Sequence, residues 1–149
     1  MSVSRPEFVW MNGELVESER ANVPILCHAL HYGTAVFEGI RAYKTGDGLS
    51  VFRLKEHMQR LVASAHAYMM TLPYSESELC EATTTLLAKN EMCSPAYIRP
   101  IAFKAVGGIE LDFRKIPTWV AIVTFPYDKY FDKEGLDVCV SSWRRTGEP

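Results

Sequence analysis

Three groups of residues in this chain have the types and spacing to bind a charged ligand. The first is Phe37, Gly39 and Arg41, in the segment CHALHYGTAVFEGIR (27–41). Alternate residues of a strand face the same way, so an aromatic ring, a gap and a cation share one row. A glycine inside a strand weakens it and often marks close approach by a ligand or another backbone. The alternative is a half-buried strand with a bulge at Gly39. The second group is Tyr97 and Arg99 in AYIRP. Two apart on a strand, a phenol and a guanidinium make a clamp for a carboxylate, with Ile98 turned the other way. Pro100 withholds a ladder donor, which predicts an edge or a bulge there. The competing reading pairs Arg99 with Glu38 or Asp137. The third is Arg60 in EHMQRL, on a helical face with Glu56, His57 and Ser64. It is either a solvated arginine paired with Glu56 four residues earlier or a planar fork of donors aimed at phosphate.

Cys27, His28 and His31 are candidate zinc ligands by type. No further Cys or His lies at a finger-like spacing, so two histidines satisfied by loop backbone is the preferred account, and no metal is expected. The chain has no GxSxG, glycine-rich phosphate loop or HExxH, the usual marks of nucleophile-elbow, nucleotide and metalloprotease chemistry.

These residues need elements to hold them. Residues 8–11 and 14–16 flank Asn12-Gly13, a strong signal for a hairpin turn with positive φ at both central positions. A loop over 22–32 precedes strands at 36–43 and 49–52, which are joined by the turn cluster Thr45-Gly46-Asp47-Gly48. Met58, Leu61, Val62, Ala65 and Met69 recur at three- and four-residue steps, predicting an amphipathic helix over 55–70. Pro73 interrupts. Ser75-Glu76-Ser77-Glu78 reads as a capping box opening a second helix, which buries Leu79, Ala82, Leu86 and Leu87 and ends near Asn90. Strands are expected at 96–106, 118–125 and 137–143. This order reads as α+β: a largely antiparallel sheet with two consecutive helices on one face.

At 149 residues, with 48% hydrophobic and 23% charged residues and a net charge of −2, the chain has the composition of one globular domain. No basic block marks a nucleic-acid surface. No run of about 18 apolar residues spans a membrane, and the first ten residues lack an apolar signal core. Cys27, Cys80, Cys93 and Cys139 form no CxxC pair, which favours reduced thiols and a cytoplasmic setting.

Taken together and in order, HALHYGTAVFEGIR, EHMQRL, SPAYIRP and SSWRR resemble the N-terminal half of branched-chain amino acid aminotransferases, which are fold type IV pyridoxal-phosphate enzymes. The resemblance covers essentially the whole chain. It implies a small N-terminal domain over 1–142, the start of an interdomain linker over 143–149, and a large C-terminal domain absent from this chain. It also implies pyridoxal 5'-phosphate between the domains, and a homo-oligomer in which loops cross between subunits. Carried over by position, Arg60 matches the arginine on the cofactor phosphate. Phe37 and Gly39 match the lining of the branched side-chain pocket. Tyr97 and Arg99 match residues near the substrate carboxylate or the distal acidic group of glutamate. Tyr32 matches a tyrosine on the loop reaching the neighbouring subunit, and Tyr127 and Tyr130 match aromatics at the pocket wall.

The same resemblance places the Schiff-base lysine shortly after the segment matching 141–145, beyond Pro149, so no catalytic residue is assigned within the chain. Its lysines (Lys44, Lys55, Lys89, Lys104, Lys115, Lys129, Lys133) are expected in turns, on helix surfaces and in loops. The implied reaction moves an amino group between leucine, isoleucine or valine and 2-oxoglutarate, with the isolated chain inactive. Alternatives are a D-amino-acid aminotransferase or aminodeoxychorismate lyase of the same fold, or a non-catalytic assembly module.

Overall fold

The computed structural model describes residues 5–46, 48–127 and 135–144. The chain opens with the expected hairpin, β1 (Phe8–Met11) and β2 (Glu14–Glu17). Its turn residues Asn12 and Gly13 both have positive φ, 51° and 96°, the geometry that matches strand twist in a two-residue turn. The region read as a plain loop over 22–32 ends instead in a short helix, α1 (His28–Tyr32), closed by Gly33 at φ 66°. Glycine takes that left-handed conformation without steric cost.

Next come β3 (Ala35–Phe37), β4 (Ile40–Thr45) and β5 (Gly48–Val51), then α2 (Leu54–Ala67) and α3 (Glu76–Lys89). The capping box is present: Glu78 N–H donates to Ser75 Oγ at 3.3 Å, and Ser75 N–H donates to Glu78 Oε2 at 2.7 Å. β6 (Ala96–Lys104) and β7 (Thr118–Pro126) complete the fold. The described residues form a seven-stranded sheet in the order β2-β1-β7-β6-β4-β5, with β3 also pairing β6. Every pairing is antiparallel.

One expected strand over 36–43 is two, and Pro100 is the reason. Phe37 pairs with Ile101 and Ile40 with Ile98 in a single register, so no residue is inserted and Gly39 is not a bulge. Pro100 is not at an edge either: it sits in β6 between β7 and the β3–β4 side. Its carbonyl accepts from Glu38 N–H at 3.0 Å. In an antiparallel pair the reciprocal bond runs from the same residue's N–H, which proline lacks. The ladder therefore lapses over Glu38 and Gly39 without a change of register.

The sheet has one covered face. Ile40, Ala42, Ala96, Ile98, Ala102, Val120 and Ile122 turn toward α2 and α3, packing with Met58, Leu61, Leu79, Leu86 and Leu87. Period-two burial on the strands meets period-3.6 burial on the helices, and the core lies between those layers. The opposite face carries the alternate strand residues and has no helix over it among the described residues. Part of it is an apolar groove of about 340 Å³ lined by Val9, Met11, Ile101, Phe103, Val123 and Phe125.

The expected strand over 137–143 is not formed: these residues are exposed and irregular, with no ladder partner among the described residues. Alternating Val138 and Val140 are a strand pattern, but a strand needs a neighbour's hydrogen bonds to exist. Among the described residues, no helix is long and apolar enough to cross a membrane.

Candidate functional site

The uncovered sheet face gathers most of the expected residues. β3 supplies Phe37, the break between β3 and β4 supplies Gly39, β4 supplies Arg41, β6 supplies Tyr97 and Arg99, and Tyr127 follows β7. Arg41 and Tyr97 are cross-strand partners, as are Tyr97 and Phe125, so the row continues over three strands. The Arg99 guanidinium lies 4.1 Å from the Phe37 ring centroid. Its Nε–H and Nη2–H both donate to the Tyr97 hydroxyl oxygen, at 3.0 and 2.6 Å. The Tyr97 ring stands 5.6 Å from that of Tyr127, and the Arg41 guanidinium lies 5.0 Å from the Tyr127 ring. Each guanidinium thus lies against rings, Arg99 beside Phe37 and Tyr97 and Arg41 beside Tyr127, through cation–π attraction, and the Tyr97–Tyr127 ring contact joins the two groups.

Gly39 makes this row possible. A Cβ built there would lie 2.6 Å from the Tyr97 hydroxyl oxygen and 3.3 Å from two ring carbons. The phenol occupies the space any larger residue would need. A hydroxyl has two acceptor lone pairs and one hydrogen. With Arg99 filling both lone pairs, the Tyr97 hydrogen is left to donate to an incoming oxygen. A phenol donor beside a guanidinium suits a carboxylate. Among the described residues Arg99 forms no ion pair with either carboxylate of the competing reading: Glu38 points to the helix side, where it pairs with Arg60, and Asp137 is exposed.

Arg60 is on that other side, at the end of the same system. Its partner is not Glu56, which pairs with Arg53 at 3.8 Å. It is Glu38, only 6% exposed. Arg60 Nε–H donates to Glu38 Oε1 at 2.6 Å and Nη2–H to Oε2 at 2.5 Å. His57 Nδ1 donates to Oε2 at 2.9 Å. The Arg60 hydrogen bonds hold the Glu38 carboxyl below its ordinary pKa against the opposing effect of burial, with His57 adding to them. One turn beyond Arg60, Ser64 and Ala67 of α2, with Tyr68 just after it, join Ala35, Val36 and Phe37 of β3 around a cavity of about 350 Å³. Residues i and i+4 share a helix face, so Arg60 and Phe37 flank one edge of the domain.

Tyr32 belongs to a different cluster. Its hydroxyl donates to the Ile109 carbonyl at 2.7 Å, and its ring lies 4.5 Å from that of His28. His28 Nε2 donates to the Glu110 carbonyl at 3.0 Å while Nδ1 accepts from Thr34 Oγ1 at 2.9 Å. His31 Nε2 donates to the Ile25 carbonyl and Cys27 Sγ to that of Lys104. The trio weighed as zinc ligands is thus spent on backbone and a hydroxyl. Lys104, expected in a turn, surface or loop, is instead a buried strand residue whose Nζ donates to the Ile116 carbonyl at 2.8 Å. Burial pulls its pKa down. Tyr32, His28 and Lys104 together fasten the 106–117 loop through three of its carbonyls. Tyr130 lies outside the described residues.

Glu38 and His57 are site residues the sequence reading did not single out. Their signal was present: Glu38 alternates with Phe37 and Gly39, so it must face the helices, and His57 precedes Arg60 by three.

Comparison with known proteins gives this arrangement a family. The amino-transferase class IV family matches residues 35–149. The branched-chain-amino-acid aminotransferases of Salmonella typhimurium and Escherichia coli are 44% and 43% identical, each over 97% of this chain and 48% of the relative. The crystal structure of the Escherichia coli enzyme superposes with a TM-score of 0.89 at 43% identity, over 95% of this chain and 48% of that one. The Thermoproteus uzoniensis branched-chain aminotransferase with norvaline matches equally well, with TM-score 0.89, 42% identity and the same coverage. The Thermobaculum terrenum branched-chain aminotransferase in its PLP-form has a TM-score of 0.76 at 30% identity, over 84% and 41% of the two chains. This chain thus spans about half the length of the curated relatives it matches. It belongs to the class IV aminotransferase family, with the fold type IV architecture and branched-chain aminotransferases as its relatives.

Proposed function

We propose that these 149 residues form the small N-terminal domain of a pyridoxal 5'-phosphate-dependent transaminase that exchanges the amino group of branched-chain L-amino acids with 2-oxoglutarate. In this reading residues 1–142 are the domain and 143–149 begin a linker to a large C-terminal domain. The anchoring lysine comes from sequence outside the 149 residues. The observation that carries the proposal is the joint placement of Gly39, Tyr97 and Arg99: a gap, a phenol forced to donate, and a guanidinium locked to it on one open face. Support also comes from the family match and from relatives named branched-chain-amino-acid aminotransferases.

The residues present fit the cofactor. An exposed guanidinium edge on Arg60 suits a phosphate, and the ring-lined row from Phe37 to Tyr127 suits an aromatic body with a carboxylate-bearing substrate beside it. When bound, pyridoxal phosphate supplies the electron sink for the pair left at the substrate's α-carbon. This chain supplies binding and orientation. Arg60 takes the phosphate. Tyr97 donates to the substrate carboxylate, and Arg99 fixes that hydrogen's direction and adds positive charge for the distal carboxylate of glutamate. Phe37, Gly39 and Tyr127 wall the pocket for the apolar side chain. Tyr130 is assigned to that wall, and Tyr32 to the contact with a second subunit, on the family resemblance.

No lysine among the described residues points into the row: Lys104 is spent on the Ile116 carbonyl, and Lys44, Lys55, Lys89 and Lys115 are exposed. The isolated chain is therefore expected to be inactive, and a cytoplasmic homo-oligomer is the expected form of the whole enzyme. The test is an assay of the complete gene product with 2-oxoglutarate and either L-leucine or D-alanine. Glutamate production from L-leucine is expected. Activity on D-alanine alone would replace the branched-chain assignment with the D-amino-acid one.

A further inference from the structure

Glu38 is a buried carboxylate held by three side-chain donors. It falls between two open-face residues, Phe37 and Gly39, yet its own side chain turns to the helix side, where three nitrogen donors converge on its two oxygens. A carboxylate buried to this degree persists only when paired and hydrogen-bonded. Arg60 in turn is mostly exposed, at 64%, so among the described residues its paired bonds to Glu38 are the main hold on where its long side chain points.

The geometry of the contact decides which donors remain. Arginine presents five N–H groups in a rigid plane. Glu38 takes the side-on edge, Nε and one hydrogen of Nη2. The end-on edge, one hydrogen of Nη1 and the other of Nη2, faces away from the carboxylate, and the second Nη1 hydrogen is free as well. The Nη2 approach to His57 Nδ1 at 3.2 Å is not a further bond, because that nitrogen's hydrogen is already directed at Glu38 Oε2.

We propose that Glu38 is a positioning residue: by holding the side-on edge of Arg60 it aims the end-on edge at a phosphate monoester. The inference rests on the assignment of Arg60 to the cofactor phosphate and adds to it how that arm is aimed. Glu38 also joins the two halves of the site. The tripeptide 37–39 contributes Phe37 and Gly39 to the substrate row and Glu38 to the phosphate arm, so one short stretch of β3 and its exit sets both.

The sign of the effect separates this from simple electrostatics. Neutralising Glu38 removes a negative charge from beside the anion, so charge alone makes phosphate bind more tightly. Loss of aim makes it bind more weakly. The experiment is an NMR titration of the 149-residue chain with pyridoxamine 5'-phosphate and, separately, with pyridoxamine, which lacks the phosphate. Both probes are amines and form no adduct with lysine, and millimolar affinities are readable. The wild-type chain is expected to prefer the phosphorylated probe. Glu38→Gln is expected to lower that preference about tenfold or more, with pyridoxamine affinity unchanged, and to expose the Arg60 Nε–H to faster solvent exchange. In an Arg60→Met background, Glu38→Gln should change nothing further, since it acts through Arg60.

A preference kept or increased in Glu38→Gln, while Arg60→Met abolishes it, overturns this inference and leaves the phosphate assignment standing. Equal binding of the two probes by wild type and Arg60→Met overturns the assignment and this inference with it. Should the amide spectrum of Glu38→Gln show an unfolded chain, Glu38→Asp replaces it: the charge stays but withdraws by one methylene. The expected result is again a lowered preference, and an undiminished one counts against the proposal.

Discussion

Replacing Gly39 by alanine should, on the proposed transaminase function, lower kcat/KM for L-leucine about 100-fold, the order expected when a binding group is displaced by roughly an ångström, while leaving the fold intact. Backbone conformation is not the obstacle, since Gly39 is not among the glycines at positive φ. The obstacle is the Tyr97 hydroxyl oxygen 2.6 Å from the new methyl position. That oxygen is the far end of a side chain on an open face, so the ring can swing away at modest cost in stability. Swinging breaks both hydrogen bonds from Arg99 and frees that guanidinium from its place over Phe37. The damage is thus to aim rather than to folding. Steady-state kinetics beside a thermal melt checks both halves. A kcat/KM within about threefold of wild type would mean that Tyr97 is not placed by this contact.

Truncation on the other face should do the reverse. Ile98 is fully buried, pairs in register with Ile40, and packs into the layer under α2 and α3. Ile98→Ala is expected to cost about 3 kcal/mol and roughly 10 °C in Tm, as for other buried aliphatic truncations that leave a cavity. Val123, cross-strand from Arg99 on the open face and only half-buried, should lose less than about 1 kcal/mol on the same change to alanine. Denaturant melts of the two single variants measure the contrast. Equal losses would mean that the open face is as much core as the helix face, which would leave no free wall for a ligand.

Much of this architecture was legible because its signals are local. Asn12-Gly13 names its own turn type, Ser75 and Glu78 cap each other across three residues, and the apolar steps of α2 and α3 need no knowledge of what they pack against. The Phe37–Gly39 and Tyr97–Arg99 rows were legible for the same reason: strand alternation alone puts each pair on one face. What escaped depends on partners distant in sequence. Pro100 reads as an edge or bulge residue until its neighbour is known. Its missing donor faces Glu38, and the sheet tolerates that by letting the ladder lapse in the middle. Arg60 has a nearer carboxylate in sequence, Glu56, but Glu38, 22 residues away in the break between β3 and β4, supplies the one it uses. Lys104 resembles any lysine at a strand end until the 106–117 loop folds over it and offers the Ile116 carbonyl. The 137–143 segment has a strand's alternation without a strand's partner among the described residues.

The central claim is that the open sheet face and the Glu38-held arm of Arg60 form one wall of a single cofactor pocket. Crystallography of the complete gene product with pyridoxal 5'-phosphate bound tests it most directly. The expected electron density places the phosphate within hydrogen-bonding distance of the Arg60 end-on edge, with the row Phe37, Tyr97, Arg99 and Tyr127 flanking the substrate side of the ring. A phosphate held wholly by other residues, with Arg60 still facing solvent and the row covered by unrelated structure, would contradict it.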